Sequence, residues 1–230
     1  MERASKTNKV LLSWSSGKDS AWALHVLREN PRIEVTGLVT TVNEEYQRVA
    51  MHGVRRELLH AQARSARLPL LEVAIPSPCT NDEYEARWLA VMSAPEVGEA
   101  TTVAFGDLFL EDIRDYRERL MSKVSLGTMY PVWGRDTREL AEEMIDAGTR
   151  AILTCIDPKV LPREFAGRSF DYELLRDLPE GVDPCGENGE FHTFVHSGPA
   201  LHEDIEVERG QTIERGGFVF TEVLPQEPTA

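Results

Sequence analysis

Only three cysteines occur in 230 residues, Cys79, Cys155 and Cys185, and none stands in a C-x-x-C pair. So odd and sparse a set supports no disulfide framework and suits a reducing, cytoplasmic compartment. No apolar run approaches the ~20 residues of a membrane-crossing helix. The polar start, from Met1 to Asn8, lacks the apolar stretch of a secretory signal. Positive charge is in deficit: 25 Lys and Arg against 39 Asp and Glu leave a formal net charge of −14. Such a surface repels a phosphate backbone, so nucleic acid is disfavoured as a partner unless a local basic patch exists. None is visible. Arg114, Arg117 and Arg119 alternate with Glu111, Asp112, Asp115 and Glu118, which reads as a solvated helix face. What remains is ordinary for a folded chain, 41% hydrophobic and 28% charged, long enough for one large domain or two small ones.

The first half alternates short apolar runs with amphipathic ones. Residues 10–14, 33–42, 70–75 and 101–105 read as strands, rich in branched and apolar side chains. Between them, Ala21 to Leu27 reads as a helix. Val54, Leu58, Ala61 and Ser65 share one face of another, with Arg55, Arg56, Gln62 and Arg64 elsewhere. Thr80-Asn81-Asp82-Glu83 is a capping box for a third. Single helices between strands imply parallel pairing in a doubly wound sheet, with ligands beyond the strands' carboxyl ends. Three such ends stand out: residues 15–20, residues 41–43, and Gly106-Asp107. Asp107 is a candidate Mg²⁺ or ribose contact, or an ordinary turn aspartate.

The pattern shifts near Leu126, which suggests domains over 8–126 and 127–222. After a helix from Glu111, residues 128–133 read as extended, with Pro131 against a central strand position. Asp136-Thr137-Arg138-Glu139 is a second capping box and Gly148 the glycine closing that helix. Residues 151–156 read as a buried strand and 170–178 as a short helix. Beyond Pro184 the pattern is β-like, around 205–207 and 218–220, with a frayed tail over 225–230. The expected fold is α/β, a mainly parallel sheet followed by a smaller α+β domain.

Ser15-Ser16-Gly17-Lys18-Asp19-Ser20 joins the first strand to the first helix. A small-residue turn there brings unpaired N–H groups and the positive end of the helix dipole to one point, which favours phosphate. Gly17 permits close approach, the three serines supply hydroxyls, and Lys18 a cation. Asp19 could stand behind Mg²⁺. No G-x-x-x-x-G-K-[ST] loop occurs. The plain alternative is a serine-rich turn with Asp19 or Ser20 as N-cap. The run resembles Ser-Gly-Gly-x-Asp-Ser, the signature of PP-loop ATPases of the adenine nucleotide alpha-hydrolase, Rossmann-like fold, with Ser16 at the middle glycine. If that position needs φ > 0, Ser16 is strained.

The second chemical stretch is Asp183-Pro184-Cys185-Gly186-Glu187-Asn188-Gly189-Glu190-Phe191-His192-Thr193. Its glycines let the backbone turn sharply and gather Glu187, Glu190 and His192. Carboxylates beside an imidazole can bind a cation, move protons or hold an amine. They can equally form an exposed hairpin. No zinc-ligand spacing occurs. Cys185 reads as a buried, inert thiol.

Together the two stretches resemble the diphthine–ammonia ligase family, also described as diphthamide synthase-domain proteins. The likeness runs over about 10–199 and takes in Tyr130-Pro131-Val132-Trp133-Gly134, Phe165-Ala166-Gly167-Arg168 and Asp183-Pro184-Cys185. Residues 106–112 look like a short, bacterial-type branch, which leaves the acceptor open. The resemblance implies a C–N ligase that activates a carboxylate with ATP, releases pyrophosphate, and lets ammonia displace AMP. It implies that Ser15, Ser16, Gly17, Lys18, Asp19 and Ser20 cradle phosphates with Mg²⁺ at Asp19. Lys18, Asp19, Glu187, Glu190 and His192 would carry the chemistry, the last three facing ammonia or a cationic substrate. The implied partners are ATP, ammonia or a small amine, and a carboxylate acceptor, either a diphthine-like protein side chain or a small molecule. A homo-oligomer stays open. His52 matches a loop near the nucleotide, although a structural histidine is the preferred reading. The competing functions are a tRNA-modifying PP-loop enzyme and a nucleotide-binding protein without turnover.

Overall fold

In the computed structural model the described residues are 7–226. The polar start through Lys6 and the tail from residue 227 lie outside them. β1 (Asn8–Ser13) buries Val10 and Leu12 on one face and Leu11 on the other, so it is central to a two-faced sheet. α1 (Lys18–Glu29) follows, then β2 (Ile33–Asn43), β3 (Arg48–Val49), α2 (Arg56–Ala66), β4 (Leu70–Ile75), α3 (Asn81–Met92), β5 (Thr102–Ala104), α4 (Glu111–Ser122) and β6 (Gly127–Met129). The sheet order is β3-β2-β1-β5-β6, with β4 also on β2. All pairings are parallel except β2 with β3.

The alternation of β1 and β2 sorts the helices between the faces. Val10, Leu12 and Leu38 pack with Leu24 of α1 and Leu58 and Leu59 of α2. Leu11, Val39 and Val103 pack with Trp88 and Met92 of α3 and Leu120 and Met121 of α4. This is the doubly wound arrangement, and Thr80 caps α3 by accepting from the Glu83 N–H at 3.3 Å.

The second part opens with α5 (Thr137–Asp146), capped by Asp136 through the Glu139 N–H at 2.9 Å and closed by Gly148 at φ 86°. β7 (Arg150–Ile156), α6 (Tyr172–Asp177), β8 (Phe191–Ser197), β9 (Val207–Arg215) and β10 (Phe218–Pro225) complete it. Its sheet is antiparallel, in the order β8-β7-β10-β9. No helix among the described residues is long and apolar enough to cross a membrane.

Several expectations shift. β6 pairs with β5, so the first sheet runs past Leu126. Only Thr128 and Met129 of the run 128–133 are strand, and Pro131 stands in the turn after this edge strand. Residues 41–43, paired laterally with β3 and β4, do not line the cavity beside residues 15–20. Pro225 is not frayed: it pairs with Val207. Gln62, assigned to a polar face, is fully buried.

Candidate functional site

The loop after β1 is held from several sides. Ser16 has φ 70°, the left-handed conformation for which the middle glycine of the signature is suited. Its carbonyl accepts from the Val195 N–H at 2.9 Å and from Gln62 Nε2 at 3.0 Å. Gln62 also bonds Trp14 Nε1 and the Val195 carbonyl. These contacts tie the loop to α2 and β8 at once. Gly17 is the N-cap of α1 and no side chain caps it, so neither Asp19 nor Ser20 is an ordinary cap. A Cβ on Gly17 would meet His52 Cε1 at 3.0 Å, and one on Gly106 would meet the backbone of Asp19 and Ser20 at 3.0 Å. Both glycines are therefore close-approach positions. Ser15 and Ser20 share a hydroxyl contact at 3.1 Å.

The loop faces a cavity of about 210 Å³. Ser15, Lys18, Asp19 and Ser20 form one wall, Gly106, Asp107 and Arg117 another, and Glu187, His192 and Thr193 the third. Thr193 Oγ1 accepts from the Lys18 N–H at 3.1 Å, joining the two signatures directly. Gly186 and Gly189, at φ 70° and 86°, make the turn that projects Glu187. Asp183 braces it, its carboxylate accepting from the N–H groups of Cys185 and Glu187 at 3.2 and 2.9 Å.

The electrostatics of this wall are unusual. Glu187 accepts from the Leu108 N–H at 2.7 Å. Burial pushes its carboxyl up to about 7, with the charges of Asp19 and Asp107 adding to the effect. The His192 and His52 rings lie 4.6 Å apart. Burial is the main cause that holds His192 down to about 4 and His52 to about 3, so both are neutral at pH 7. Lys18 is 1% exposed. Its Nζ donates to both Asp19 oxygens at 2.9 Å and to the Cys185 carbonyl. Burial would pull this amine down, but the neighbouring negative charges, Asp19 foremost, hold it above its ordinary range.

Not every expected residue reaches the cavity. Glu190 turns inward, accepting from the Asp183 N–H at 3.1 Å and Asn188 Nδ2 at 2.9 Å, and is not among the cavity-lining residues. Cys185 is buried, its Sγ against the Thr137 carbonyl at 3.3 Å, and burial raises its thiol. His52, preferred as a structural histidine, lines the cavity. Arg117 is not on a solvated face. Its Nε lies 2.6 Å from Asp107 Oδ2 and its guanidinium 4.4 Å above the Phe105 ring. Only Asp107 is a sequence signal for it.

Among the described residues no group of three or more His, Cys, Asp or Glu side chains could hold a metal alone. Asp19, with Asp107 and Glu187 on the same cavity, instead fits a Mg²⁺ that takes most of its shell from phosphate and water. A larger cleft of about 770 Å³ is lined by Arg150 of β7, His196 of β8 and Arg209 of β9, and by no residue of 15–20 or 183–193. Size alone would choose it. The smaller cavity carries the glycine-dependent loop, the acids and the perturbed titrations, which are what chemistry requires.

Two family descriptions match the chain: diphthamide synthase N-terminal domain over residues 8–127 and diphthamide synthase C-terminal domain over 136–222. Among similar proteins is a diphthine–ammonia ligase of Danio rerio, 30% identical over 152 residues, which span 64% of this chain and 60% of that protein. The diphthine–ammonia ligases of Bos taurus and Homo sapiens are 25% and 24% identical over 193 residues, 77% of this chain and 70% of theirs. The two matched regions carry one signature each, and the hydrogen bond from Lys18 to Thr193 joins them. On that combination, the chain belongs to the diphthamide synthase family.

Proposed function

We propose that the protein is an ATP-dependent, AMP-forming amide ligase that joins ammonia or a small amine to a carboxylate. One arrangement supports it: the amino end of α1 and the pair Glu187–His192 face each other across a single cavity. The α1 end, with the Ser15 and Ser20 hydroxyls, suits the phosphates. Asp19 would hold Mg²⁺, whose charge offsets that of the phosphates. At about 210 Å³ the cavity is smaller than the roughly 300–1,000 Å³ of a whole-ligand pocket, which suits phosphates enclosed and a nucleoside extending outward.

In the proposed reaction a carboxylate oxygen attacks the α-phosphorus and pyrophosphate leaves. Nitrogen then attacks the acyl carbon, and the carbon–oxygen bond to AMP breaks. A carboxylate is a poor electrophile, so this activation is the step that ATP must supply. Glu187, titrating near neutrality, suits capture of ammonium and uptake of its proton. His192 and His52, held down to about 4 and about 3, are weaker bases than Glu187 at about 7, so the carboxylate is the better acceptor for that proton. Glu190 would act at one remove, by bracing the turn. The relatives' names point to diphthine as the acceptor, and we propose a diphthine-like side chain here.

The test is product analysis with labelled ATP, ammonium and a diphthine-bearing protein. Repeated turnover to AMP and pyrophosphate should require all three, whereas ATP and the acceptor alone should release pyrophosphate without amide; ADP and phosphate would overturn the mechanism. Glu187→Gln should keep the ATP-dependent thermal shift and lose amide formation by at least a hundredfold.

A further inference from the structure

The cation expected to meet phosphate is Lys18, yet its donors are spent. An ammonium has three N–H groups. Two point to Asp19 and the third to the Cys185 carbonyl. The side chain is buried between the Phe170 and Phe191 rings, 5.3 Å from each centroid. Lys18 thus spans the two signatures as a strut.

Arg117 is placed differently. It lines the same cavity and carries five donors. Nη2 donates to Asp107 Oδ1 at 3.0 Å. Nε sits 2.6 Å from Asp107 Oδ2, yet the two are out of line and both atoms are buried without a hydrogen-bond partner. This half of the ion pair lacks an aligned hydrogen bond and is its weaker contact, on the wall of the cavity. The planar guanidinium fork matches carboxylate and phosphate alike, so an entering phosphate oxygen can take the place of Asp107. Stacking on Phe105 holds the fork in place while its partner changes.

We propose that Arg117 is the cation that binds the nucleotide's polyphosphate, exchanging Asp107 for a phosphate oxygen, while Lys18 only positions the loop. This rests on the nucleotide reading above. The exchange also frees the Asp107 carboxylate, which in the unliganded protein is tied up.

Metal-free pyrophosphate, AMP and ATP, titrated calorimetrically against the full chain, test it. Arg117→Gln should weaken pyrophosphate and ATP about ten- to a hundredfold, and AMP less than threefold. Asp107→Asn, which loosens the competing partner, should tighten metal-free pyrophosphate severalfold. If Arg117→Gln folds poorly, Asp107→Asn and Arg117→Lys decide, the latter expected to weaken pyrophosphate because it lacks the fork. Equal losses for all three ligands, or unchanged pyrophosphate affinity in either Asp107→Asn or both Arg117 variants, would overturn the proposal. Failure of the wild-type chain to bind ATP or pyrophosphate at all would overturn the nucleotide reading with it.

Discussion

Glu187 makes a residue-scale prediction about stability against pH. Its ordinary value is 4.5 and its folded value about 7, with burial as the main cause. Between those values the folded protein keeps a proton that the unfolded chain has lost. The stabilisation is fully present below pH 4.5 and is lost as pH rises through 7. The loss is on the order of 3 kcal/mol, at about 1.4 kcal/mol per unit. Glu187→Gln removes it, so the variant should exceed wild type in denaturant stability by about 2–3 kcal/mol at pH 8.5 and match it at pH 4.5. Parallel stability curves would refute the burial argument. His52 and His192 act with the opposite sign, because their folded values lie below 6.5. Their contribution is present above 6.5 and is lost as pH falls toward 4, in wild type and variant alike. Residues of this kind divide sharply in legibility. Glu187 and His192 sit in a dense local motif. His52 and Arg117 owe their places to contacts outside their own segments, and a single residue in an ordinary helix or turn announces nothing. Arg117 was obscured by its charged neighbours on α4, which do face solvent.

Elements were easier to read than their partners. The strands of the first half, both capping boxes and the closing Gly148 follow from local patterns: alternation, cap chemistry and the need for positive φ. β3 has two residues and no pattern to show, and β9 is polar and largely exposed, so both escaped. α2 shows why facing assignments fail for polar side chains. Helical spacing put Gln62 with the solvated set, but its amide is the joint between α2, the phosphate-type loop and β8. A buried amide is tolerated only when satisfied, and Gln62 bonds Trp14 Nε1 at 2.9 Å, the Ser16 carbonyl at 3.0 Å and the Val195 carbonyl at 2.6 Å. Gln62→Met keeps the volume and orphans the Trp14 N–H and the Val195 carbonyl. At 1–3 kcal/mol for each buried orphan, it should cost about 2–5 kcal/mol by denaturant unfolding. ATP affinity should fall too, because Ser16 holds a left-handed conformation that its carbonyl bonds maintain. A cost below 1 kcal/mol would mean that the loop is held by its own sequence.

Across the whole molecule, the two signatures lie in different sheets but in one packed core. Val10 and Leu24 from the first part share a continuous apolar cluster with Ile152, Phe191 and Phe194 from the second. The loop's own bonds cross the same divide: Ser16 to Val195, Lys18 to Thr193 and to Cys185. The first part alone would therefore lose the Phe191 and Phe194 side of that cluster and leave the Lys18 ammonium without its carbonyl partner. The separation near Leu126 that composition suggests is a division of chain pattern, and the packing argues against a division of stability. Full-length protein should unfold in a single calorimetric transition, with van't Hoff and calorimetric enthalpies equal. A fragment of residues 1–130 should show no cooperative transition and no ATP-dependent thermal shift. A fragment that melts cooperatively and binds ATP within threefold of the full chain would show that the nucleotide loop is built by the first sheet alone, and that β8 merely covers it.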